Sequence, residues 1–242
     1  MLSPERELFC LCEPETGMGM RAFRLTIAGC ALSGALLGAA SVAVASEPDA
    51  SGAALGVALF DNPVAARTGQ FPLAAWRSVF ARAHEELSTP GDMPKGWDKF
   101  VADLAKLDFK ERLERANAVL NRVPYVPATR NWGNPWRWES PAEFLARGGQ
   151  CEDYAIAKYF ALRGAGVPAT ELRIVVVEDM VDRVTHAVLV AGAGDAAYVL
   201  DNRVGPVASA DKVERYRPLY GFNEASWWVY ADASTPPRPA AR

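Results

Sequence analysis

One stretch carries most of the information about the fold: Gly148-Gly149-Gln150-Cys151-Glu152-Asp153-Tyr154-Ala155-Ile156-Ala157-Lys158. Its two glycines end a short preceding helix and allow a tight approach to the next one. The next helix is predicted to begin near Cys151 and to continue to about Arg163, where two further glycines end it. The pattern therefore places a cysteine at a helix N-terminus, where the helix dipole favours the thiolate.

Upstream of this stretch, apolar residues recur at helical spacing. They predict one helix over 72–87 and a second over 97–122, which two prolines end. Residues 128–139 are predicted to form a Trp-rich loop. The loop leads into Ser140-Pro141-Ala142-Glu143, which has the cap, the first-position proline and the third-position glutamate of a helix start.

Downstream, β-branched and alternating residues predict strands over 172–177, 185–191, 197–200 and 227–230. Because the helices precede the strands, the expected fold class is α+β with an antiparallel sheet.

Composition narrows the class of protein further. The chain has 242 residues, of which 50% are hydrophobic and 23% charged, with a net charge of −3. These values exclude a disordered chain and give no electrostatic reason to expect nucleic-acid binding. We predict one domain over 71–232, preceded by a loop or extended arm over 46–70 and followed by a flexible tail over 233–242.

The first 45 residues are predicted to be a signal peptide, because two arginines precede an apolar run that ends in Ala43-Val44-Ala45. Cleavage after Ala45 would make the protein periplasmic or secreted. The alternatives are a retained membrane anchor and a lipoprotein signal at Ile27-Ala28-Gly29-Cys30. Residues 1–19 are acidic, so translation starting at Met18 or Met20 is a further hypothesis.

Removal of residues 1–45 would leave Cys151 as the single cysteine of four. An odd thiol in an exported protein points to intermolecular pairing or reactivity, and the alternative is a buried, inert cysteine.

If the second and third predicted strands form a hairpin, His186 and Asp201 fall near the same end of it. A thiolate, an imidazole and an orienting carboxylate make a cysteine nucleophile. Taken singly, His186 could be a packed strand residue and Asp201 a turn former. The second histidine of the chain, His84, lies in an exposed-looking segment.

Three segments resemble a known family. The stretch over 148–158, Thr185-His186-Ala187-Val188-Leu189 and Val199-Leu200-Asp201-Asn202 are similar to the Cys, His and Asp segments of bacterial transglutaminase-like cysteine proteases. That family includes the periplasmic LapG-type proteases that release biofilm adhesins. The likeness extends over roughly 70–230 through Arg112-Leu113-Glu114-Arg115-Ala116-Asn117, Pro124-Tyr125-Val126 and Ser140-Pro141-Ala142-Glu143-Phe144.

The resemblance implies a papain/transglutaminase-like core and hydrolysis of a peptide bond through a thioester. Cys151 would be the nucleophile, His186 the general base and then acid, and Asp201 the orienting residue. Oxyanion donors would come from the backbone N–H of Cys151 and from Gln150 or an indole of the Trp-rich loop.

The resemblance also implies a calcium site, because LapG-type members bind calcium beside the nucleophile. Where these usually carry an acidic residue before the cysteine, this chain has Gln150. Glu152, Asp153 and the Gln150 amide oxygen are candidate ligands, and calcium would offset two carboxylates that oppose thiolate formation. The alternative is that Glu152 and Asp153 merely favour a helix start. The chemistry itself requires no cofactor.

Trp132, Trp136 and Trp138 are expected either to cap the core or to line the substrate cleft. The predicted function is an exported cysteine endopeptidase. The rivals are an acyl transferase to an amine and a non-catalytic protein-binding module. Expected partners, by resemblance, are a protein substrate such as a surface adhesin and a membrane-bound regulator that senses a cyclic dinucleotide.

Overall fold

A computed structural model describes residues 64–68, 74–193 and 196–230. The helices come first and are α1 Ala74–Ser88, α2 Trp97–Ala105, α3 Phe109–Leu120, α4 Ala128–Trp132, α5 Pro141–Arg147 and α6 Cys151–Gly164. The strands are β1 Val64–Thr68, β2 Leu172–Asp179, β3 Val184–Ala193, β4 Ala196–Leu200, β5 Ala208–Ser209, β6 Tyr216–Phe222 and β7 Ser226–Tyr230. The predicted α+β class and the helix starts at Ser140 and Cys151 are confirmed.

The strands of the described residues form one antiparallel sheet in the order β1-β7-β6-β2-β3-β4-β5. Both faces of its centre are buried, because Ile174 and Val176 join the core beneath the helices while Val175 and Val177 join a second core on the other face. This explains why β2 reads as a continuous apolar run. α6 packs across β2 and β3, and the predicted β3–β4 hairpin is confirmed.

The prediction of a single helix over 97–122 is wrong, since α2 ends at Ala105 and α3 begins at Phe109. Asp108 starts the new helix, because its carboxylate accepts a hydrogen bond from the Glu111 N–H at 2.8 Å. Arg112 then donates to the carbonyls of Leu104, in the last turn of α2, and of Leu107, in the link between the two helices. Local capping thus outweighs the continuous apolar stripe.

Sequence reasoning also missed β6, which contains Pro218 and Gly221, two residues that disfavour strands. Pro218 lies where the register between β2 and β6 shifts. A Cβ on Gly221 would lie 2.8 Å from the Arg173 side chain, so glycine is needed for this close packing. The short helix α4 lies within the predicted Trp-rich loop and corrects it over 128–132.

Several predictions fall outside the described residues, namely the signal peptide over 1–45, most of the arm over 46–70 and the tail over 233–242. Within the arm, β1 pairs with β7 and extends the sheet. No helix in the described ranges has the length and apolarity needed to cross a bilayer.

Candidate active site

Cys151 is the first residue of α6, and the two glycines before it fix the path of the chain. Gly148 has a φ of +78°, and a Cβ there would lie 2.4 Å from the Pro124 carbonyl oxygen. The chain over 124–126 runs beside this turn, and the Val126 N–H donates to the Gly149 carbonyl at 3.0 Å. The backbone just before the cysteine therefore packs directly against the backbone at 124–126. A residue larger than glycine at position 148 would push these two segments apart.

The start of α6 is held by Asp153, whose carboxylate accepts the N–H groups of Gln150 and Glu139, each at 2.7 Å. The second bond joins the end of the Trp-rich loop to the nucleophile helix. Burial raises the pKa of Asp153 well above its usual range, and the neighbouring Glu152 carboxylate raises it further. Asp153 therefore caps the start of α6 with a carboxyl group that is buried.

Glu152 lies against the cysteine, with Oε2 3.2 Å from Cys151 Sγ. Burial of its carboxyl raises the pKa of Glu152 to about 7. In this structure Cys151 is disulfide-bonded. Because the other three cysteines all precede residue 46, removal of the predicted signal peptide would leave the sulfur as a thiol.

His186 and Asp201 are brought together as the sequence predicted. His186 Nε2 lies 2.8 Å from Asp201 Oδ1, and both residues are buried, with 1% and 3% of their surface exposed. The other ring nitrogen, Nδ1, is buried and has no hydrogen-bond partner among the described residues. The structure thus forms the His–Asp pair and leaves the Cys–His hydrogen bond unmade.

Both carboxylate oxygens of Asp201 take part in hydrogen bonds. Oδ1 also accepts the Arg203 N–H at 2.8 Å, and Oδ2 accepts the hydroxyl of Tyr216. Burial alone would raise the pKa of Asp201, but the hydrogen bond with His186 and these two bonds lower it to about 2. The sequence did not predict a role for Tyr216, because Tyr216 belongs to β6, and Pro218 and Gly221 make β6 look unlike a strand.

Lys158 is a second residue that sequence reasoning left without a role. It lies two turns after Cys151 on α6, with 1% of its surface exposed. Burial lowers the pKa of Lys158 to about 7, against the opposing attraction of Asp201. A buried amine therefore lies close enough to Asp201 to sense its charge.

Gln150 and the three tryptophans of the Trp-rich loop, the candidate oxyanion and cleft residues, differ in their hydrogen bonds and in their exposure. Gln150 Oε1 accepts the Ala128 N–H at 3.0 Å, which ties its side chain to the start of α4. Trp132 donates its indole N–H to Glu139 at 2.7 Å, so this indole is already engaged. Trp138 is buried and stacks on Phe222 in the core, as the core interpretation predicted. Trp136 is the most exposed of the three, at 36%.

The predicted calcium ligands, Gln150, Glu152 and Asp153, lie together at the start of α6. The described residues contain no group of three or more His, Cys, Asp or Glu side chains arranged to hold a metal ion. Glu152 and Asp153 are nevertheless adjacent acids whose ionisation burial opposes. Nearby, Glu139 has a buried Oε2 with no hydrogen-bond partner among the described residues. A cation would favour the ionised forms of these groups, so the donor chemistry fits calcium.

Comparisons with known proteins show what the whole chain is similar to. Three structures of Legionella pneumophila LapG are similar to the chain, each with a TM-score of 0.52. One is 29% identical and covers 65% of this chain and 90% of its own. The EGTA-treated form is 30% identical, with 62% and 84% covered, and the calcium-bound form is 29% identical, with 68% and 91% covered. Among curated proteins compared by sequence, none matches.

Residues 96–234 match the family of bacterial transglutaminase-like cysteine proteinases, BTLCP. The matched region runs from the start of α2 past the end of β7, so it includes Cys151, His186 and Asp201. More than half of the chain lies in this match, and the fold is similar to that of LapG. The chain therefore belongs to the bacterial transglutaminase-like cysteine proteinases.

Proposed function

We propose that this protein is an exported endopeptidase that cleaves a protein substrate through Cys151, His186 and Asp201. The observation that carries the proposal is the buried His186–Asp201 pair, which leaves Nδ1 as the ring nitrogen without a hydrogen-bond partner in the described part of the chain. Asp201 favours the tautomer with hydrogen on Nε2, so Nδ1 carries the lone pair that can accept a thiol proton. Cysteine and histidine need not be hydrogen-bonded before substrate binds.

The reaction follows from these roles. His186 Nδ1 takes the proton of Cys151, and the sulfur attacks the substrate carbonyl carbon to form a tetrahedral oxyanion. The imidazolium then gives the proton to the leaving amine, and the C–N bond breaks to leave a thioester. Water, deprotonated by His186, attacks the thioester carbon and releases the acid and the thiol. Asp201 stabilises the imidazolium without taking its proton.

The oxyanion needs hydrogen-bond donors, and the helix start supplies one. The first N–H groups of a helix point along its axis toward the N-terminus, so the Cys151 N–H is the first proposed donor to the developing negative charge. Gln150 is the better candidate for the second donor. Its Oε1 faces Ala128, which leaves the amide N–H₂ group to donate, whereas the Trp132 indole is bonded to Glu139.

Calcium binding belongs to the same proposal. Glu152 and Asp153 would hold the ion, and its charge would offset the carboxylates beside the thiol. We expect weaker binding than an acidic residue at position 150 would give, because a neutral amide replaces a carboxylate and its oxygen already accepts one hydrogen bond. Support comes from LapG, which is known in calcium-bound and EGTA-treated forms. Calorimetric titration tests it, and no heat at about 1 mM calcium excludes the metal, given the Kd range of extracellular sites.

The substrate, partner and location are proposed from resemblance. A surface adhesin is the proposed substrate, a membrane-bound regulator that senses a cyclic dinucleotide the partner, and the periplasm the location. Trp136 is the proposed cleft residue, because it is the exposed tryptophan of its loop.

N-terminal proteomics of the parent cell envelope tests the proposal directly. Cells carrying the wild type are compared with cells carrying Cys151→Ala. New protein N-termini that need Cys151 identify the substrate, and their position gives the cleavage site. Identical N-termini in both strains would contradict the endopeptidase function.

The first rival function is an acyl transferase that passes the thioester to an amine. Incubation with a labelled amine and an envelope extract separates the two reactions, since only the transferase incorporates label covalently. The second rival is a non-catalytic binding module. Alkylation of Cys151 by iodoacetamide at neutral pH no faster than that of free cysteine would favour it.

A further inference from the structure

Asp201 lies on a loop directly after β4, so the direction of its carboxylate depends on how this backbone is held. Residues 201–205 follow the last paired residue of the β3–β4 ladder, Leu200. The side-chain bonds of Asp201 fix its carboxylate relative to His186 and Tyr216. They do not fix the loop relative to the helix that carries Cys151.

Two asparagines of the α3 region make that second connection. Asn121 Nδ2 donates to the Asp201 carbonyl at 2.8 Å, and Asn117 Nδ2 donates to the Gly205 carbonyl at 2.9 Å. The two residues are four apart and share one face of the helix and its last turn. They therefore hold both ends of the loop from a single rigid element.

The same region also contacts the nucleophile helix. The Tyr154 hydroxyl of α6 donates to the Val123 carbonyl, and the Gly149 N–H donates to the Pro124 carbonyl at 3.3 Å. α3 itself packs against α6, and the buried residues of α3 include Leu113 and Leu120. The α3 region thus contacts both the loop that carries Asp201 and the helix that carries Cys151, although these two residues belong to different layers of the fold.

From this arrangement we propose that Asn121 is a positioning residue, which sets the Asp201 carboxylate, and through it His186, relative to Cys151. The inference rests on the proposed catalytic triad. Asn117 supports it from the far end of the loop and has a smaller effect. Loss of the Asn121 bond lets the loop move, and a displacement of about 1 Å at a reacting group can lower a rate about 100-fold.

The test follows alkylation of Cys151 by iodoacetamide between about pH 5 and 9, a range that spans the ordinary imidazole and thiol pKa values. The full chain is reduced with dithiothreitol and desalted, and the Cys151 peptide is quantified by mass spectrometry below the melting temperature. Asn121→Ala and Asn121→Leu, which has a similar volume, both remove the donor. We expect each to slow alkylation near pH 6 at least about tenfold and to move the acid limb of the profile upward.

Asn223→Ala is the matched control, because Asn223 is a buried asparagine whose side chain, like that of Asn121, donates to backbone carbonyls, but away from this site. It is expected to lower the melting temperature and leave the shape of the profile unchanged. A wild-type profile in whichever Asn121 variant folds overturns the proposal, as does an equal shift in Asn223→Ala. His186→Ala separates this failure from failure of the triad, because a wild type that behaves like His186→Ala contradicts the triad itself.

Discussion

His186 Nε2 and Asp201 Oδ1 lie 2.8 Å apart in a buried site, although the two residues are 15 positions apart in the chain. The pair exists because β3 and β4 form a hairpin whose open end carries both residues. Burial strengthens the interaction, since water does not compete for either group. The pair also defines His186 Nδ1 as the atom that can act on Cys151.

Replacing Asp201 by Asn tests the orienting role. An amide can donate to Nε2 and would then stabilise the wrong tautomer, with hydrogen on Nδ1. We expect substrate cleavage, or alkylation of Cys151 at neutral pH, to fall about 10²- to 10⁴-fold. Alkylation kinetics with circular dichroism as a control for folding measure this. A folded variant with wild-type kinetics would show that Asp201 has no role in the reaction.

The hydroxyl of Tyr216 donates to Asp201 Oδ2, so Tyr216→Phe should affect both stability and reactivity. Loss of a hydrogen bond to a charged group is expected to cost about 1.5–3 kcal/mol of unfolding free energy. Urea denaturation measures this cost, and alkylation of Cys151 measures reactivity, which we expect to fall.

Tyr159→Phe is the matched control, because the Tyr159 hydroxyl donates to Glu224 at 2.9 Å away from the site. It should lose comparable stability and keep the wild-type alkylation profile. If both variants lose reactivity equally, Tyr216 acts only through general stability.

Glu152→Gln should change how stability depends on pH. Because burial raises the pKa of Glu152 from 4.5 to about 7, the folded protein holds this proton more tightly than the unfolded chain. This contribution is fully present below pH 4.5 and is lost as the pH rises through about 7. Above that pH the variant should be more stable than the wild type by about 1–3 kcal/mol without calcium.

Melting curves at several pH values, with calcium and with EGTA, test this expectation. Calcium should raise the melting temperature of the wild type at neutral pH and above, and should have little effect on Glu152→Gln. The exposed Glu114→Gln serves as control. An equal calcium response in Glu152→Gln would remove Glu152 from the proposed ligands.

Lys158→Met should also change how stability depends on pH, because it removes a buried amine. The pH dependence that Lys158 contributes runs in the opposite direction to that of Glu152. Burial lowers the pKa of Lys158 from 10.5 to about 7, so the unfolded chain binds its proton more tightly than the folded protein. The wild type should therefore gain stability as the pH rises between about 7 and 10, and Lys158→Met should lack this gain. Urea denaturation across this range measures it, with exposed Lys95→Met as control. An unchanged slope in Lys158→Met would mean that the amine remains charged in the folded protein.

Local features of the sequence predicted local structure well. The helix starts at Ser140 and Cys151 depend on caps within three residues, and the β2 strand depends on a run of neighbouring side chains. The same kind of reasoning failed at Asp108, where a cap interrupts an otherwise continuous apolar stripe. It failed again at β6, where Pro218 and Gly221 are tolerated because of their particular neighbours in the sheet.

The sequence by itself determined the order of helices and strands, a cysteine at a helix start, and the three residue types of the site in family order. Only the tertiary structure decided which groups surround Asp201. Tyr216 and Asn121 reach it from 15 and 80 positions away, and both depend on how β6 and α3 pack against the β4 loop. Such contacts leave no periodic signal in the sequence, because they are fixed by the packing of whole elements.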